Sequence, residues 1–202
     1  FPYHLVLLQL EHDSAFQSHS PFSSTAEFLD LVLSGFAAGA PRHHHLVVKD
    51  HPLEDGRAEV RRTLSRLARA YGIEERLHYV RGGKLARLLD EARSAVTVNS
   101  TAGQQALWRG LPLRCFGRAV YAKPEFVSEQ PLPEFFRRPS STPPPGRPAG
   151  SFHHGAVNTG LRAVGRAAAP CPGQAARLDR RRFRRAPKET LRRMTDEVVT
   201  RF

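Results

Sequence analysis

The stretch "VTVNSTAGQQAL", residues 96–107, decides how the chain is read. Val96, Thr97 and Val98 form a short β-branched run that breaks into Asn99, Ser100 and Thr101 and then enters a helix-forming segment through Ala102 and Gly103. This is a strand, a polar turn and a helix in twelve residues. Small hydroxyl residues and a glycine at such a turn leave backbone N–H groups free, and a helix start carries partial positive charge toward an anion. A phosphate can be seated that way without a lysine. Thr101 and Gln104 also satisfy the capping-box pattern that starts many helices of no functional interest. One helix start can serve both purposes.

Working outward, the same alternation recurs. Tyr3–Leu10 is an apolar run of strand length, and Glu27–Ala38 places Phe28, Val32 and Phe36 on one helical face. His45–Lys49 is strand-like again. Within Arg57–Tyr71, the residues Val60, Leu64, Leu67, Ala68 and Tyr71 recur at amphipathic spacing. Leu77–Val80 reads as a strand, Lys84–Ala92 as a helix, Ala95–Val98 as a strand, Ala102–Arg109 as a helix and Leu113–Phe116 as a strand. Alternation of this kind predicts an α/β fold with a parallel sheet flanked by helices. Ligands of such sheets sit at the carboxyl ends of the strands.

Three polar clusters follow predicted strands at that end: "QLEHDS" after the first, "KDHPLEDG" after the second and "NSTAG" after the fourth. Their shared position predicts one site. Asp13, with Gln9 four residues earlier, can be a nucleophile or base, or a cap of the turn toward "HSPF". His51-Pro52 can project an imidazole over the sheet edge or be a plain turn. Glu54-Asp55-Gly56 fits a cap for the helix near Arg57. His43, His44 and His45 are consecutive, so they point to alternating faces and read as a solvated run rather than a metal site.

The net charge of +12 is unevenly placed. Residues 1–136 hold 16 Lys and Arg against 15 Asp and Glu, a net +1, whereas residues 137–202 hold 15 against 4, a net +11. The basic character belongs to the tail. "RRPSSTPPPGRPAG" reads as a proline-rich linker and "RLDRRRFRRAPKETLRR" as a solvated arginine block, so the expected division is 1–138 as the sheet domain and 139–202 as a tail of low order. The tail's arginine, proline and alanine bias resembles a GC-rich gene read out of frame. No apolar run reaches 18 residues. The opening "FPYHLVLLQLE" has neither Met nor a charged n-region and reads as part of a longer protein. Cys115 and Cys171 give no disulfide framework or zinc spacing, which favours a reducing, cytoplasmic setting.

Together, "LQLEHDSAFQSHSPF", "LVVKDHPLEDG", "ARSAVTVNSTAGQQALWRGLPLRCFGRAVY" and "PLPEFF" resemble the capsule polysaccharide biosynthesis and export proteins of the KpsS and KpsC type. The resemblance covers about residues 3–138 and includes the order of the motifs. It implies a Rossmann-like half of a GT-B-type glycosyltransferase that transfers β-Kdo from CMP-Kdo to a glycerophospholipid or Kdo-terminated acceptor, without a metal or cofactor. It further implies a cytoplasmic protein, peripheral to the inner membrane, that works with the capsule export machinery and has no specific nucleic-acid partner. On that resemblance Asp13 is the catalytic carboxylate, supported by Gln9. His51, Pro52, Asn99, Ser100, Thr101 and Gly103 hold the nucleotide. The sequence departs from the family pattern in having Ala15 where Gln is expected and "KDHP" in place of "KHHP". A competing expectation treats the chain as a non-catalytic module whose basic tail binds anionic lipid or nucleic acid.

Overall fold

The structure, a computed structural model, describes residues 1–51, 58–140 and 199–201. In chain order the elements are β1 (Tyr3–Leu7), α1 (Ser14–His19), α2 (Thr25–Gly39), β2 (His45–Lys49), α3 (Ala58–Tyr71), β3 (Leu77–Val80), α4 (Leu85–Glu91), β4 (Ser94–Thr97), α5 (Ala102–Trp108), β5 (Leu113–Cys115), α6 (Leu132–Arg137) and β6 (Val199–Arg201). The sheet order is β5-β4-β1-β2-β3-β6. The first five strands run parallel. The expected α/β architecture is therefore present, and β1 lies at the point where the strand order reverses.

Every residue of β1, β3 and β4 is buried, as parallel strands covered on both faces require. Alternate residues feed two cores. Val6, Leu46, Val48, Leu77, Tyr79 and Val96 face a cluster completed by α2, α3 and α6. Tyr3, Leu5, Leu7, Val47, Val80 and Ala95 face a second cluster completed by α4 and α5. Helix α2 begins two residues before the predicted start, because the Ser24 hydroxyl accepts from the Glu27 N–H and the Glu27 carboxylate accepts from the Ser23 N–H at 2.8 Å.

Two features depart from expectation. The histidine run is solvated only at His43: His44 is buried with its Nδ1 3.0 Å from the His4 Nε2, and half-buried His45 has its Nδ1 2.9 Å from the His78 Nε2. Neighbouring strands β1 and β3 each bring a histidine opposite, and ring-to-ring hydrogen bonds replace solvent. In the tail, Val199–Arg201 pairs antiparallel with β3, so this part of the expected low-order segment joins the sheet. The other tail residues from 141 onward lie outside the described ones, as do Pro52 and Glu54-Asp55-Gly56. No helix among the described residues is long and apolar enough to cross a membrane.

Helix α6 was hidden from periodicity by its shortness, yet it closes one face through Leu132, Phe135 and Phe136. Its contact with α2 needs Gly39, where a Cβ would stand 1.9 Å from the Pro133 carbonyl oxygen. Backbone cannot retreat as a side chain can, so Gly39→Ala is expected to destabilise the fold by about 1 to 3 kcal/mol in urea denaturation. Unchanged stability would show that α6 does not seat on α2 as described. The buried imidazoles generate a second expectation. Burial, with His44 and Arg93 nearby, pulls His4 down to about 3. Burial, with Arg93, His43, His45 and Arg76, pulls His44 down to about 4. An unfolded histidine titrates near about 6.5, so below that pH the unfolded chain binds more protons than the folded one. Stability is then full above about pH 6.5 and declines as pH falls toward 4. Urea midpoints from pH 7.5 to 4.5 should decline accordingly, less steeply in His4→Gln; a flat parental profile would contradict the neutral imidazole pair.

Candidate functional site at the carboxyl ends of the strands

The polar clusters after β1 and β4 meet through their amides. Gln9 and Asn99 bond reciprocally: the Gln9 side-chain amide donates to the Asn99 side-chain oxygen, and the Asn99 backbone N–H donates to Gln9 Oε1 at 3.0 Å. The Asn99 side-chain N–H₂ then donates to the Ala15 carbonyl at 2.8 Å. Strands β1 and β4 are in register up to Leu7 and Thr97, so the two chains leave the sheet side by side and their first polar residues pair. This pairing spans the crevice where the sheet order reverses, the usual ligand position in open α/β sheets.

Asp13 is the N-cap of α1, and its Oδ1 accepts from the Ala15 N–H at 3.2 Å. The capping reading of Asp13 is thus realised, and the residue remains exposed. Asn99 holds the carbonyl of the same Ala15 whose N–H the Asp13 carboxylate caps. Gln9 bonds Asn99 directly, and Asp13 joins them through the backbone of Ala15.

The "NSTAG" turn differs from its sequence reading in two respects. Thr101 has helical backbone angles and its side chain makes no capping bond, so the Thr101–Gln104 capping box is not formed. The Ser100 hydroxyl accepts from the Ala102 N–H at 3.3 Å instead. Nor are the N–H groups free as expected, because Gly103 donates to the Ser100 carbonyl and Gln104 to the Thr101 carbonyl. The seven-residue α5 starts in a tight turn that consumes these donors. Gly103 is explained by packing, since a Cβ there would lie 2.5 Å from the Tyr121 hydroxyl. What the turn offers a ligand is the pair of hydroxyls at buried Ser100 and exposed Thr101.

His51 stands half-buried at the end of β2. Because β1 separates β2 from β4, His51 and the Ser100–Thr101 pair flank the β1 end from two strands apart, about 10 Å. Sequence reasoning overlooked the residue before it. Asp50 is buried at 4% exposure. Its Oδ1 accepts from the His51 backbone N–H at 2.9 Å, and its Oδ2 accepts from the Tyr79 hydroxyl. Tyr79 is 29 residues away, on β3, and no local pattern marks the pair.

Between α1, α2 and α3, above the ends of β1 and β2, lies a cleft of about 310 Å³. Gln9, Glu11, His12, Asp50 and Glu59 line it, with Leu8, Leu29 and Val60 forming an apolar wall. Glu11 is held in place by the Thr25 N–H, which donates to its carboxylate at 2.9 Å. Three carboxylates make this cleft a poor seat for a phosphate and a better one for hydroxyl or amino groups. No group of three or more His, Cys, Asp or Glu among the described residues is arranged to hold a metal ion. Burial pushes the Cys115 thiol up to about 11, which disfavours the thiolate form.

Residues 1–146 match the family described as "Capsule polysaccharide biosynthesis protein". The chain is 37% identical over 119 residues to the capsule polysaccharide export protein KpsS of Escherichia coli, covering 59% of this chain and 31% of that protein. It is 34% identical over 141 residues to the capsule polysaccharide modification protein LipB of Neisseria meningitidis, covering 69% and 33%. Among solved structures it is similar to KpsC of Thermosulfurimonas dismutans, a β-Kdo 2,7-transferase, with a TM-score of 0.46 and 22% identity over 65% of this chain and 40% of that one. The chain spans about a third of the length of the curated relatives it matches. With the family match running through β1, β2 and β4 and the polar turns that follow them, the chain belongs to the capsule polysaccharide biosynthesis protein family.

Proposed function

We propose that the chain is a Rossmann-like half of a GT-B-type glycosyltransferase that moves β-Kdo from CMP-Kdo to a glycerophospholipid or Kdo-terminated acceptor. The observation that carries this reading is the reciprocal Gln9–Asn99 pair, which joins the Asp13 turn to the Ser100–Thr101 turn at the β1/β4 crevice. Membership of a capsule biosynthesis family supports a sugar donor and a polysaccharide or lipid acceptor in general, and CMP-Kdo is the donor we propose. His51 and the hydroxyls of Ser100 and Thr101 would contact the cytidylate phosphate from either side of β1, with Pro52 as the second member of the His-Pro pair. Asn99 would hold the loop at the nucleotide through its bonds to Gln9 and Ala15, and Gly103 leaves room for Tyr121 against α5.

In the transfer step an acceptor hydroxyl oxygen becomes bonded to the anomeric carbon of Kdo, and that carbon's bond to the phosphate oxygen breaks. CMP departs with the bonding pair. Asp13 would serve as the carboxylate that either attacks the anomeric carbon first or takes the acceptor's proton. No metal or cofactor is needed for either role. The acceptor and the export machinery place the work at the inner face of the inner membrane.

His51→Ala is expected to weaken CMP binding by about 1 to 3 kcal/mol, the loss of one charge-assisted contact. Equal affinity of mutant and parent in calorimetry would reject the phosphate role of His51. Asp13→Asn should abolish Kdo transfer to a synthetic lipid acceptor while CMP binding survives, because the amide is neither nucleophile nor base and Asn retains a helix cap. Turnover near the parental rate would reduce Asp13 to the cap of α1.

A further inference from the structure

Among the described residues Asp50 is the one buried carboxylate. A buried carboxylate is costly to desolvate, and a fold that needed only stability would be served by an apolar residue at this place. Asp50 is instead fixed on all sides. Its N–H donates to the Val80 carbonyl at 2.9 Å, and its own carbonyl accepts from the buried Lys49 Nζ at 2.9 Å. The Arg81 Nε stands 3.9 Å from Oδ2, which also accepts from the Tyr79 hydroxyl. The remaining oxygen, Oδ1, receives the backbone N–H of His51.

We infer that Asp50 and Tyr79 are positioning residues: together they fix the peptide that delivers His51 to the nucleotide, an inference that rests on the nucleotide reading of His51. The physical chain is short. Tyr79 is buried in β3 and cannot shift without disturbing the core it joins. Its hydroxyl sets the carboxylate plane of Asp50, and the opposite oxygen of that carboxylate holds the His51 N–H. With this N–H fixed, the backbone at His51 is set before a ligand arrives, so binding costs less conformational freedom there. Arg81 balances the negative charge close to where a phosphate would approach.

The test is a coupling measurement with CMP as the probe. Asp50→Ala and Tyr79→Phe are each expected to weaken CMP binding about 3- to 10-fold, the scale of one or two lost hydrogen bonds. Asp50→Asn, which keeps an acceptor for the His51 N–H, should retain most of the affinity. The deciding variant is the double mutant His51→Ala/Tyr79→Phe. If Tyr79 acts through His51, its affinity should lie within about twofold of His51→Ala alone. A general structural role would instead multiply the two losses. Tyr79→Phe conserves the ring, so the cycle remains decisive even if Asp50→Ala fails to fold. Losses that multiply, or a Tyr79→Phe affinity equal to the parent's, overturn the inference while the nucleotide reading stands. A His51→Ala protein that binds CMP as the parent does overturns the nucleotide reading and the inference with it. Amide hydrogen exchange gives a second readout without ligand: the His51 N–H should exchange about tenfold faster in Tyr79→Phe. Unchanged exchange there would remove the proposed lever.

Discussion

Strand β1 is bonded along both edges, to β2 and to β4, and buried on both faces. That double constraint organises everything else. A strand so enclosed can keep a polar side chain only where a neighbour pairs it, as Ser94 and His44 pair His4, and beyond Leu8 its chain turns polar as it emerges. The emergence point is Gln9, between the loops that follow β2 and β4. The candidate site sits there because that is where the polar residues after β1 meet those after β4, as the Gln9–Asn99 pair shows.

The polar groups around this point are held by one another. Asn99 is nearly buried and bonds to both Gln9 and Ala15, so the ends of β1, β4 and α1 behave as one unit. Asp50 does the same for β2 and β3 through His51 and Tyr79. Buried polar networks of this sort stabilise little compared with apolar packing, but they fix geometry, because each alternative arrangement leaves a desolvated group unpaired. The carboxylate-lined cleft between α1, α2 and α3 then divides the surface by charge. Carboxylates gather on one side of the β1 end, and the Ser100 and Thr101 hydroxyls on the other.

The amino-acid sequence by itself determined the order and type of the main elements. Leu64, Leu67 and Ala68 announce α3 by their spacing, and Val96 and Val98 announce β4, because burial of one helical stripe or of alternate strand residues imposes those periods. It also determined that three polar clusters would lie at one sheet end, since in a parallel sheet every strand delivers its following loop to the same edge. Short α6 and the early start of α2 were illegible by period alone; one spans too few turns and the other depends on capping by Ser24.

Tertiary structure decided what depends on residues far apart in sequence. The histidine run is half buried because His4 and His78, from β1 and β3, stand opposite His44 and His45. Gly103 is small because Tyr121, eighteen positions later, lies against it. The N–H groups of the "NSTAG" turn are spent on Ser100 and Thr101, a choice of local geometry that composition does not dictate. Asp50 acquires its role only because the register of β2 and β3 pairs Val48 with Tyr79 and so brings a hydroxyl beside its carboxylate. Periodicity follows from which face of an element is buried, and a sequence carries that locally; partnership follows from which strands become neighbours, and that is settled only when the sheet closes.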